Sequence, residues 1–165
     1  MTIPLRDDLM VQEQINMDPW SHMVGVMMLN QTGRKPVKTV LPEFLERWPT
    51  PEALLRSRII DIEELIKPLG MYRVRAKRIY KMSIDFLTWD RNDARELHGI
   101  GKYGSDSYEI FFKRNYSVQP TDKELLRYLR EISQENASAG LPIPSDGTSS
   151  HLAPIADQRF ADCTT

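Results

Sequence analysis

The sequence predicts an all-α domain, and three observations carry that reading. Apolar residues recur at three-to-four spacing, as on amphipathic helices, through most of the chain. Few stretches alternate as strands do. A polar residue followed by proline, the signature of a helix start, occurs at Asp18-Pro19 and again at Thr50-Pro51.

The first pair opens a helix to about Asn30, with Val24, Met27 and Met28 as core positions. Met23 joins them, because methionine fills irregular apolar space. Gly33 and Pro36 break and restart the chain, and a helix follows to about Trp48; Trp20 and Trp48 are assigned to the core. After Thr50-Pro51, a short helix around Ile62–Ile66 ends at Lys67-Pro68-Leu69-Gly70. Tyr72–Leu87 is the longest helical candidate. Asn92 or Asp93 caps a short helix that ends at His98-Gly99-Ile100-Gly101, where His98 is expected to pack in the turn. Lys102–Lys113 is the next helix, and Thr121 opens the last. From about 134 to 165 the chain is rich in Ser, Ala, Pro and Gly without an apolar period; it reads as a disordered tail behind a domain of residues 1–133.

Composition excludes several classes. With 165 residues and 41% hydrophobic content, the chain has the material for one domain with a real core. Its one cysteine, Cys163, rules out a disulfide framework, a Cys₄ zinc site and an all-cysteine iron–sulfur cluster, and suits a reducing compartment. His22, His98 and His151 lack ligand spacing, so no metal is expected. No apolar run reaches membrane-spanning length, and the N-terminus lacks the pattern of a signal peptide.

The formal net charge is −1, so any basic surface must be local. One such segment is KPLGMYRVRAKRIYK (67–81), which holds Lys67, Arg73, Arg75, Lys77, Arg78 and Lys81 and no acid. Alone it reads as a solvated helix face. The Gly99-Ile100-Gly101 turn changes its context. A glycine turn ahead of a helix bares backbone N–H groups at the positive end of the helix dipole, which suits a phosphate; the simpler alternative is a corner with glycine as C-cap.

The segment LHGIG before a helix, followed by VQPTDKELLRYL with Asp122 at a helix start, resembles the helix–hairpin–helix (HhH-GPD) DNA glycosylase superfamily. VQEQINMDPW, LNQTG, KPLGMYRVRAK, ELHGIGKYGSDSY and VQPTDKEL occur in the order and spacing of the thymine DNA glycosylases that carry a methyl-CpG-binding domain. The likeness covers about residues 10–132. No segment of these 165 residues reads as a methyl-CpG-binding domain.

The resemblance implies a two-lobed helical fold with a cleft, and a monofunctional enzyme that removes thymine or uracil opposite guanine from double-stranded DNA. It implies no cofactor, a monomer and a nuclear location. Asp122 is the expected catalytic carboxylate, placed at the first helical position by a Thr121/Glu124 capping box. A carboxylate at the positive end of a helix dipole is favoured as the anion, which can stabilise an oxocarbenium-like sugar and orient water. Gln12 and Tyr103 are expected in the base pocket, the first through an amide that donates and accepts, the second by stacking. Gln31 and Leu69 are expected to fill the gap left by the flipped base, with turn packing the competing reading for Leu69. Gly99, Gly101, Lys102, Gly104, Arg73, Arg75 and Lys77 are expected to hold phosphates.

Three departures stand out. Gln31 replaces an arginine, Glu124 replaces a lysine, and Tyr103 stands where bifunctional relatives carry the Schiff-base lysine, Lys102 being one position early. Two rival readings remain: a non-catalytic helix–hairpin–helix DNA-binding module, and a glycosylase for an oxidised or alkylated base.

Overall fold

Asp18 starts the first long helix with its own side chain, its Oδ1 accepting from the N–H groups of Trp20 and Ser21. In this computed structural model, which describes residues 10–14 and 18–140, all regular elements of the described residues are helical. They run α1 (Val11–Gln14), α2 (Pro19–Leu29), α3 (Arg34–Arg47), α4 (Pro51–Leu55), α5 (Ile59–Ile66), α6 (Tyr72–Thr88), α7 (Lys102–Phe111) and α8 (Lys123–Ser138). Short 3₁₀ turns at Lys67–Leu69 and Ala94–Glu96 join α5 to α6 and lead into the glycine hairpin.

The expected caps at Asp18, Thr50 and Asp93 form as side chain-to-backbone hydrogen bonds. Pro36 does not break the chain, because it sits in the first turn of α3, where its missing N–H leaves no bond unmade. The last helix starts one residue later than expected. Asp122 itself is the N-cap of α8, and Thr121 lies outside it.

α8 also runs past the expected domain boundary at 133, to Ser138. Its serines return their hydroxyls to the helix, Ser133 to the Leu129 carbonyl and Ser138 to that of Gln134. Gly140, with φ +67°, follows at the end. Residues 141–165 of the expected tail, Cys163 and His151 among them, lie outside the described residues.

Two apolar clusters divide the molecule. The larger gathers Trp20, Met23, Met28, Leu41, Phe44, Ile62, Ile66, Ile79 and Met82 from α2, α3, α5 and α6. Trp20 Nε1 finds a partner in Ser83 Oγ at 2.9 Å, and Trp48 packs edge-on to Phe44. The smaller cluster centres on Met10, Ile110 and Leu125, with Phe111 stacked on Tyr128 at 4.7 Å. Tyr103 packs against both. These are the two expected lobes, and the pocket described next lies where they meet.

Gly104 explains how α7 docks on α2. A Cβ there would come within 2.8 Å of Ile100 Cγ2 and 2.9 Å of Val26 Cγ1. Its missing side chain makes room for apolar packing rather than for a phosphate, which corrects the sequence expectation. His98, expected to pack in the hairpin, is exposed; its backbone N–H, donated to Asp85 Oδ2, does the holding.

Candidate active site

A pocket of about 500 Å³ opens between the lobes, lined by Gln12 of α1, Gln31, Thr32 and Arg34 after α2, Tyr103 of α7, and Thr121, Asp122 and Glu124 at the start of α8. The three residues expected to handle the base, Gln12, Tyr103 and Asp122, thus converge from separate elements.

Asp122 accepts the N–H groups of Glu124 (2.9 Å) and Leu125 (3.0 Å), both on Oδ1. Oδ2 takes part in neither bond. One oxygen therefore anchors the carboxylate at the helix start while the residue lines the pocket.

Gln12 is only 7% exposed. Its Nε2 donates to Tyr103 Oη at 2.8 Å and lies 3.3 Å from Ser107 Oγ. Its Oε1 is buried without a partner inside the protein. Tyr103 accepts from Gln12, so its own hydroxyl proton is free to be donated elsewhere. Burial pushes the Tyr103 phenol up to about 12, with Gln12 opposing and the charges of Asp122 and Glu124 adding to the rise. The phenol therefore remains a donor at neutral pH.

At the rim, Arg34 pairs with Glu124 at 3.1 Å, and Glu124 also meets Arg127 Nε at 3.3 Å. Glu124, noted above as a departure, thus joins the lobes through α3 and α8. Sequence reasoning missed Arg34 because only the fold brings it to α8.

Three expected roles need correction. Arg75 is buried, and its guanidinium is committed inside the protein. Its Nη1 donates to the carbonyls of Met27 (2.7 Å), Met28 (3.0 Å) and Asn30 (3.1 Å), and its Nη2 to Thr32 Oγ1 (2.6 Å). It satisfies the carbonyls that the end of α2 leaves open, and it fixes the loop that carries Gln31. Lys102 Nζ is engaged by Asp106 Oδ2 at 2.7 Å and by the Gln119 carbonyl at 3.0 Å, so it stabilises α7 and the loop before Asp122. Leu69 is 6% exposed and belongs to the main core, which is the turn-packing alternative.

The exposed apolar side chain of that turn is Met71, at 55%, with φ +45°. It shares a small depression with Asn30, Val74, Arg78 and Gly99, so it stands between the Gln31 loop and the hairpin. Gln31 is exposed as well, at φ +57°. Arg73 and Lys77 are exposed along α6, as expected, and Arg78 beside the hairpin extends their basic face. Gly99 adopts φ +78°, and the space around Gly101 is open to 4 Å. Among the described residues no three His, Cys, Asp or Glu side chains converge as a metal site.

A family model for base excision DNA repair proteins of the HhH-GPD superfamily matches residues 24–156. The chain belongs to that superfamily. A methyl-CpG-binding domain protein 4-like protein of Arabidopsis thaliana is 33% identical over 120 residues, 72% of this chain and 27% of the relative. A thymine-DNA glycosylase of Aeropyrum pernix is 30% identical over 123 residues, 70% of this chain and 54% of the relative. The HhH-GPD chain thus spans about a quarter of the plant relative and about half of the archaeal one. A solved thermostable thymine-DNA glycosylase superposes with a TM-score of 0.58 at 20% identity, over 61% of this chain and 50% of that one, which shows the shared fold. An adenine DNA glycosylase of Mycobacterium tuberculosis is likewise 30% identical, over 137 residues, 78% of this chain and 44% of the relative.

Proposed function

We propose that this HhH-GPD chain is a monofunctional, monomeric DNA glycosylase that releases thymine or uracil from mismatches with guanine. The carrying observation is the pocket that brings Asp122 together with Gln12 and Tyr103, where the Tyr103 hydroxyl proton is uncommitted and Gln12 Oε1 has no partner inside the protein. That pair complements the N3–H of a flipped thymine or uracil and a carbonyl beside it. The same pair matches the amino group and N1 of adenine, so a G:A duplex belongs in the test.

Asp122 works as an anion beside the sugar. Cleavage of the N-glycosidic bond builds positive charge on the sugar ring, and a fixed carboxylate stabilises that charge and orients the attacking water. The N–H groups bound to Oδ1 hold it without further reorganisation. Position 103 is tyrosine and Lys102 is held by Asp106 and Gln119, which supports hydrolysis without a lysine adduct.

The hairpin at Gly99 and Gly101, with Arg73, Lys77 and Arg78, grips phosphates. Gln31 and Met71 fill the space of the flipped nucleotide, Met71 taking the place first assigned to Leu69. Nuclear placement rests on the family likeness alone, and an archaeal relative shares that likeness.

Single-turnover base release from G:T, G:U, G:A, A:T and G:C duplexes tests the reading. Release is expected from G:T and G:U, without a borohydride-trapped adduct. Asp122→Asn should lower it by about 100-fold or more, the scale of losing a preorganised electrostatic partner. Release from G:A alone would move the substrate to adenine. Duplex binding with no release would leave a DNA-binding module.

A further inference from the structure

Behind Gln12 lies a polar chain that the mechanism above does not use. Ser107 of α7 is fully buried and His22 of α2 nearly so. His22 Nε2 stands 2.8 Å from Ser107 Oγ, and the same oxygen lies 3.3 Å from Gln12 Nε2. Phe111 and Phe112 close around the imidazole, with ring centroids 5.6 and 5.0 Å away. Burial holds His22 far below its ordinary value, at about 3, so the ring is neutral near pH 7. A neutral imidazole has one N–H and one bare nitrogen.

The serine hydroxyl carries one proton, and its direction decides the rest of the chain. If His22 Nε2 is bare, Ser107 donates to it, and the serine oxygen must then face a donor. Gln12 Nε2 supplies that donor, and Oε1 is left without a partner inside the protein, as found. If Nε2 carried hydrogen, Ser107 would donate toward Gln12 instead. The amide would turn over, and the pocket would meet an NH₂ group.

Resting on the glycosylase reading, we propose that Ser107, oriented by His22, is a positioning residue that holds the Gln12 amide with Oε1 toward the base, so that the site selects a pyrimidine with hydrogen on N3. Uracil and thymine carry that hydrogen. Cytosine held in the register of uracil presents a lone pair at N3 and opposes Oε1.

Two measurements on the full chain test the assignment. The first is ¹⁵N NMR of the His22 ring near pH 7, where Nε2 is expected bare and Nδ1 protonated. Hydrogen on Nε2 overturns the proposal whatever the activity. The second is single-turnover release of uracil and of 3-methyluracil opposite guanine by wild type and Ser107→Ala. Wild type should favour uracil by at least about 10-fold, one hydrogen bond's worth. Ser107→Ala should slow uracil release by about that factor and leave 3-methyluracil within about 2-fold. A parallel fall on both bases, or no change on either, would give Ser107 a packing role only. No uracil release by wild type would overturn the glycosylase reading and with it the selection role; equal losses in the variant overturn the selection role alone.

Discussion

Asp122 caps α8 and is also the proposed catalytic carboxylate, which makes its substitution informative. Asparagine is as good an N-cap as aspartate, so Asp122→Asn should keep α8 and the melting temperature while activity falls. Arg75 has the opposite profile. Arg75→Ala removes a buried cation that satisfies the end of α2 and should cost about 3 kcal/mol or more, read as a lower urea midpoint. Arg75→Lys should recover little, because one ammonium cannot reproduce the guanidinium's spread of bonds to Met27, Met28, Asn30 and Thr32. That Asp122, Gln12 and Tyr103 meet at one pocket was legible in the sequence, because motif order groups them. Arg75 was not: within a basic run its fate depends on which carbonyls the fold brings beneath it. Leu69 was read as pointing out, with turn packing as the alternative, because the sequence does not show which apolar side chain the turn at Gly70 exposes; Met71 takes the exposed position in a left-handed backbone conformation.

At the scale of elements, the hairpin separates two uses of glycine. Gly99 needs its φ of +78°, and an added Cβ would also press on Met27 Cε at 3.0 Å. Because that methyl is a flexible end, backbone strain dominates; Gly99→Ala should cost about 1–2 kcal/mol in stability and weaken duplex binding. Gly101 has ordinary backbone and open space, so Gly101→Ala should leave the urea midpoint unchanged and still reduce affinity by crowding a phosphate. Equal behaviour of the two variants in both assays would remove the hairpin from the DNA face. Most helix starts could be read from the sequence, because Asp18, Thr50 and Asp93 announce themselves. The end of α8 could not, since its serines bond within the helix and mimic a loop composition.

For the whole molecule, His22 ties stability to pH. Its proton is bound by the unfolded chain near 6.5 and by the folded one only near 3. Stability is therefore full above about 6.5 and falls as pH drops toward 3, by up to about 1.4 kcal/mol per pH unit from this residue alone. Urea midpoints at pH 7 and pH 4.5 should diverge more for wild type than for His22→Gln. An equal slope in both would mean that His22 meets water in the native state. The two apolar clusters were foreshadowed by the helical periods, but their meeting at Tyr103 was not, because periodicity assigns a face and not its neighbour.

The Arg75 clamp has a consequence for how this chain would search DNA. It bolts the Gln31 loop to α6 through Asn30 and Thr32, with every bond made inside the protein. The proposed plug is built before any duplex arrives. Encounter with an intact base pair then requires no loop assembly that a sound sequence could abort. Inspection becomes a contest between a rigid probe and the stacking strength of each step. A weak pair yields to the probe, and a sound one displaces it and lets the chain move on.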